Sequence, residues 1–217
     1  MDNASKNAQN VVSMSDYQPE TGYGAIAQVE AYWDALRAGR LLPKRSEVDP
    51  RGIELALENA FILERIAPGI ARLRVAGTHL NDLMGMEVRG MPLTAFFAPA
   101  HRRVVADALE EMFQTPASCT LHLTAPAAMS RPALDARLLL LPLTSDLGDV
   151  SRILGCIVVK GELGHTPRRM DLVSVNVQPI TAGAGPATLP DAPKLPDAAR
   201  PHLPAAEPAA GDDRSTR

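Results

Sequence analysis

RLRVAGTHLNDLMGMEVRG, residues 72–90, changes its structural period in mid-course. Together with Ala71 before it, the segment begins by alternating: Ala71, Leu73 and Val75 point one way, Arg72 and Arg74 the other. That is the pattern of a half-buried antiparallel strand. Gly77 then marks a bend, where a residue with a Cβ would resist the backbone angle. Thr78 is a suitable N-cap for HLNDLM, and Gly85 takes the C′ position. A helix of barely two turns is not stable alone, so packing must hold it. No residue of the stretch is an obvious nucleophile or metal ligand. It predicts a strand-to-helix corner that frames a pocket or a switch.

The flanking sequence extends this corner into a fold. AFILERIA (60–67) reads as a strand, Pro68-Gly69 as a tight turn, and 70–77 as the returning strand of a hairpin. Upstream, Ile26, Val29, Tyr32, Trp33 and Leu36 recur at helical spacing, and Gly39 ends that helix. Asp49 is an N-cap with Pro50 at the first helical position, opening a short helix that carries Ile53, Leu55, Ala56 and Leu57. Downstream, MEVRGMPLTAFF is a loop. Pro99 opens a longer helix whose stripe is Val104, Val105, Ala108, Leu109, Met112 and Phe113. Three more strands follow, at 118–124, 133–143 and 152–160. Two strands, then helices, then three strands imply an α+β fold: one antiparallel sheet with helices on one face. The other face carries Arg72, Arg74, His122, Asp135 and Arg137. The Trp33 helix, from this chain or from a second copy, is the candidate to cover it.

Composition bounds the rest. The chain has 217 residues, 46% hydrophobic and 22% charged, a globular average that conceals two regimes. Residues 166–217 hold nine of the nineteen prolines and ten alanines, which predicts a disordered Pro/Ala-rich tail over 165–217. Ending the chain near Gly164 is therefore expected to leave its melting temperature nearly unchanged. Residues 1–24 are polar and read as a flexible N-terminus, leaving 25–164 as the folded domain. The tail balances six Lys/Arg against six Asp/Glu, and the net charge of −3 is mild, so neither nucleic acid nor anionic lipid is an expected partner. The longest apolar run, 138–143, falls far short of the ~18 residues of a membrane span. With no signal-peptide pattern, a cytoplasmic location is expected. Cys119 and Cys156 lie in strand patterns without CxxC or zinc spacing, and read as reduced core thiols.

The order of elements, with the strand, "AG", short helix and "RG" loop of residues 72–90, resembles the PAS-domain superfamily. The resemblance extends to Trp33, Leu36-Arg37, LLPKRSEVDP, Phe97 and His101-Arg102. In this combination it resembles the small single-PAS-domain proteins of alphaproteobacteria, and it covers roughly residues 26–160. It implies a five-stranded antiparallel sheet of order 2-1-5-4-3, in which the 133–143 strand separates the two cysteines. It also implies a sensor or interaction module that holds a ligand between sheet and helices, or holds none and dimerises.

Candidate sites follow. The walls of an apolar ligand pocket would be Leu80, Leu83, Met84, Phe97, Val105, Leu109 and Met112, which read equally as plain core. An interaction surface would comprise Trp33, Arg72, Arg74 and Arg89, the guanidinium groups being suited to an acidic partner. Haem would need an axial histidine. His79 and His101 are the candidates, and both sit near helix N-termini where exposure or capping is the simpler role. A light-sensing flavin domain needs a cysteine in the short helix, where this chain has Thr78-His79-Leu80-Asn81. No haem, flavin or metal is therefore expected. Without GxSxG, P-loop or HExxH motifs, no catalytic activity is expected either. The expected function is a regulatory signalling protein that works through protein–protein interaction, as a homodimer with an unknown signalling partner. The alternative is a sensor for an apolar metabolite.

Overall fold

In the computed structural model, which describes residues 22–182, the hairpin forms at β1 (Ala60–Ala67) and β2 (Ile70–Ala76). The N-terminal helix is α1 (Gly24–Arg37), the short helix α2 (Thr78–Met84) and the long one α3 (Arg102–Gln114). β3 (Ala117–Ala125), β4 (Leu134–Thr144) and β5 (Val150–Lys160) follow as expected. All strand pairs are antiparallel, and the predicted 2-1-5-4-3 order is present in full. A sixth strand, β6 (Asp171–Pro179), extends the sheet by pairing with β3.

That strand corrects the predicted domain end at 164. Pro and Ala dominate the composition over 166–217 as a whole, but Val173-Ser174-Val175-Asn176-Val177-Gln178 alternates strictly. Averaging over the long window hid a short strand-period pattern. Before it, Arg168 and Met170 are both buried. The Arg168 guanidinium donates to Leu163 O at 2.5 Å and Pro132 O at 2.6 Å, and its backbone N–H to Leu83 O at 2.8 Å. The remainder of the expected tail, 183–217, and residues 1–21 of the expected flexible start fall outside the described residues.

The sheet carries buried apolar side chains on both faces. Phe61, Leu63, Leu73, Leu121, Leu138 and Ile153 pack beneath α2 and α3. Ile62, Leu139, Leu141, Leu143, Leu154 and Cys156 face the other way, against Val29 and Trp33 of α1 and Ile53 and Ala56 of the 3₁₀ segment Pro50–Ala56. The chain's own α1 thus covers the second face. Asp49 caps the 3₁₀ segment, its carboxylate accepting from Arg51 N at 3.0 Å. Leu55 and Leu57, expected on its apolar side, are exposed: the 3₁₀ path turns Leu55 out to solvent, and Leu57 follows the end of the segment beside an open cleft.

Two details of the corner at 76–85 differ from the sequence reading. The N-cap of α2 is Gly77, with Thr78 its first residue. Gly77 has an ordinary φ of −68°. It is required for room, since a Cβ there would lie 2.1 Å from Glu58 O. Gly85 does supply the left-handed angle expected of a C-cap, with φ of 68°.

Candidate functional site

The seven predicted pocket walls do come together. Leu80, Leu83, Met84, Phe97, Val105, Leu109 and Met112 all belong to one core cluster, each 2% exposed or less. α2 contributes three at helical spacing, α3 another three, and Phe97 leads from the loop between them. None of them lines any of the clefts described below.

The outer side of the β1–β2 hairpin is more open. The register slips between Ile62 and Leu63, so that Ile62 pairs with Val75 but Leu63 with Leu73. This bulge at Arg74 turns Val75 onto the outer face, where it is 55% exposed. The predicted grouping of Val75 with Ala71 and Leu73 is corrected accordingly. Val75 and Ala76 form the shared wall of two adjoining clefts. One, of about 270 Å³, is completed by Arg74, Glu87 and Arg89. The other, of about 290 Å³, is lined almost wholly by apolar groups, among them Val48, Ile53, Leu57 and Ile62, with Arg45 at its rim. Arg72, Arg74 and Arg89 are all exposed on this edge. Glu64 pairs with Arg74 and accepts from Arg152 at 2.5 Å, which fixes the Arg74 guanidinium beside the cleft. Sequence reasoning found the arginines but missed Val48, Leu57 and Val75. The bulge that exposes Val75 leaves no trace in the alternation.

Trp33 does not belong to this surface. It is 3% exposed, its indole N–H donates to Pro142 O at 3.0 Å, and the Arg37 guanidinium lies 5.4 Å from its ring. The predicted surface role fails because β4 and β5 of the same chain already cover the ring. A groove of about 210 Å³ runs beside it between α1 and the end of β6, where Arg37 donates to Thr181 O at 3.1 Å.

Three of the predicted polar residues of the outer face, His122, Asp135 and Arg137, form a network with Tyr23. Tyr23 donates to Asp135 Oδ2, His122 Nε2 lies 2.7 Å from Asp135 Oδ1, and Arg137 is 3.7 Å from the same oxygen. Lys160 sits 3.7 Å from the centre of the Tyr23 ring. Desolvation acts to raise the Asp135 carboxyl, but the hydrogen bonds from Tyr23 and His122 and the Arg137 charge outweigh it, leaving it below the usual carboxylate range. The network ties the start of α1 to β3 and β4. Of the two histidines weighed as haem ligands, His101 lies 3.4 Å from Asp171, whereas burial lowers the pKa of His79. No cluster of three His, Cys, Asp or Glu side chains suited to a metal occurs among the described residues.

Cys119 and Cys156 are buried on opposite faces of the sheet, and burial pushes both thiols up to about 12. Both are expected to be silent to a thiol reagent such as DTNB in the native protein at about pH 8, and to react after denaturation. Rapid labelling of the native chain would show that one of the two strands opens locally.

The architecture defines a class: an antiparallel sheet crossed on one face by a short helix, a loop and a longer helix, the frame of a sensor module. The chain belongs to the PAS-domain family, whose model, described as PAS domain, matches residues 23–158. β6 lies beyond the matched residues. No curated protein matches the chain. PAS domains serve regulatory and sensory roles and are generally not catalysts. Among the described residues, no helix is long and apolar enough to cross a membrane.

Proposed function

We propose that this PAS domain is a cytoplasmic regulatory module that signals by contact with another protein, as a homodimer, without haem, flavin, metal or catalytic activity of its own. The observation that supports this most is the contrast between the two sides of the sheet. Beneath α2 and α3 the side chains pack against one another. Outside the hairpin, Val75 and Ala76 line an apolar cleft with Arg45, Arg74 and Arg89 around it. Such a surface fits a partner segment that inserts an apolar side chain and flanks it with carboxylates. The alternative, an apolar metabolite bound between sheet and helices, requires the seven core side chains to move apart.

Photo-crosslinking in the native cell tests the reading. A crosslinker at Val75 is expected to trap a discrete partner. The yield should fall at least about fivefold in an Arg89→Glu background, since reversing a rim charge turns attraction into repulsion of the partner's carboxylates and slows encounter. A crosslinker at Leu147, 95% exposed in the turn between β4 and β5, serves as reference. Equal trapping from both positions, or none from Val75, would sink the proposed surface. Native mass spectrometry with an absorption spectrum of the same purified sample addresses the alternative. A bound mass or chromophore band would favour the sensor reading, and a protein without added mass favours the contact reading.

A further inference from the structure

The two edges of the sheet are treated differently. At the β2 edge, the loop at 90–92 bonds back to the strand: Leu73 N donates to Met91 O at 2.9 Å and Gly90 N to Leu73 O at 2.8 Å. Arg72 and Arg74 add charge there. Cover and charge are the devices by which proteins keep an edge strand from recruiting another. The β6 edge has few of them. Among the described residues β6 pairs only with β3, and residues 172–178 carry no charge at all. Ile180 N donates to Pro116 O at 3.0 Å, so by antiparallel alternation the N–H and C=O of Val175 and Val177 point away from β3. Leu172, Val175 and Val177 pack at the margin of the helix-side core and stay half-buried there. After β6, Arg37 holds Thr181 O, so the described chain leaves over α1 rather than along the open edge.

We infer that β6 is the self-association edge of this protein: two copies pair β6 to β6, antiparallel and centred on Val175, into one continuous sheet. This rests on the homodimer reading above and names its interface. A second copy is the occupant that the chemistry favours. A strand without charge from 172 to 178 meets its own image without repulsion there, and an antiparallel pair obeys the two-fold symmetry of a closed dimer. Centring on Val175 lets its N–H and C=O bond to their counterparts in the second copy. The Val175 side chains then meet on the helix side, where each is only partly covered. Asp171, the single charge of the strand, falls opposite Pro179 of the second copy instead of opposite another carboxylate. Ser174 of one copy falls opposite Asn176 of the other.

Sedimentation velocity across a concentration series tests this with the full-length protein and two double variants at exposed positions. Ser174→Lys with Asn176→Lys sets lysine against lysine at both symmetric places, and is expected to raise the dimer dissociation constant about tenfold or more. Ser174→Lys with Asn176→Glu sets lysine against glutamate at the same places and is expected to restore dimerisation. Both variants should melt within a few degrees of the parent. A dimer indifferent to both variants overturns the β6 interface but leaves the homodimer reading standing. A chain that stays monomeric overturns both. A dimer that forms only after residues 183–217 are removed overturns the inference and assigns the edge to those residues. Loss of the dimer in both variants alike, without rescue, overturns the register centred on Val175.

Discussion

A chain ended after Gly164 is expected to fail to fold, or to melt more than about 15 °C below the intact protein. The cut removes Met170, which is fully buried, and loss of such a side chain costs about 2–5 kcal/mol. It removes Arg168, leaving Leu163 O, Pro132 O and Leu83 O without their donor. It breaks the bonds between Met170 and the loop before α3, where Met170 N donates to Phe96 O at 2.8 Å and Ala98 N to Met170 O at 2.9 Å. Each unmade bond costs about 1 kcal/mol. β3 then becomes the sheet edge, with Cys119, Leu121 and Leu123 losing their neighbours Val177, Val175 and Leu172. The sum approaches the entire stability of a typical domain, about 5–15 kcal/mol. Ending the chain after Ala182 instead keeps all of these contacts and is expected to leave the melting temperature almost unchanged. Thermal unfolding of the two truncations side by side decides the matter. Equal melting temperatures would mean that β6 and Arg168 contribute little.

Trp33→Ala is expected to destabilise the domain by about 4 kcal/mol, equivalent to about 8–16 °C in melting temperature. The indole fills the centre of the outer core among Val29, Leu141 and Leu154, and its N–H satisfies Pro142 O. Loss of the indole donor to the Pro142 carbonyl of β4 adds a hydrogen-bond term to the cavity term. Trp33→Phe should recover most of the packing and lose only that bond, about 1 kcal/mol. Because Trp33 is the one tryptophan of the chain, its fluorescence reports the same contact: blue-shifted emission when native, red-shifted on unfolding. A Trp33→Ala protein with unchanged melting temperature would mean that α1 does not hold the sheet. Because this variant disturbs the core, its effect on partner binding says nothing about a surface role. The exposed Arg89 is the residue that tests the surface.

Much of the fold was legible because its elements follow simple periods. β3 alternates cleanly, α3 carries an unbroken stripe, and Pro68-Gly69 marks the hairpin. β4 and β5 were legible as strands, but their faces were less so. In β4 the polar residues Asp135 and Arg137 give way to Leu139, Leu141 and Leu143 on the same side. One face is therefore polar at one end and core at the other, and where α1 covers it cannot be read from periodicity. The pocket walls were named correctly as a group, since helical spacing selects the inward face. Whether an inward face encloses space or fills it depends on volumes contributed by distant strands.

The sequence by itself determined the helices, five of the six strands, the corner at 72–90 and the PAS resemblance. Each of these rests on local spacing, and local spacing is written in the chain. Only the tertiary structure decided that Trp33 faces inward, that Gly77 serves for room against Glu58 rather than for its angle, and that a bulge turns Val75 outward. It alone joined β6 to β3 and anchored that strand through Arg168. These depend on groups far apart in sequence meeting in space, where a carbonyl, a ring or a strand edge belonging to another segment sets what each residue can do.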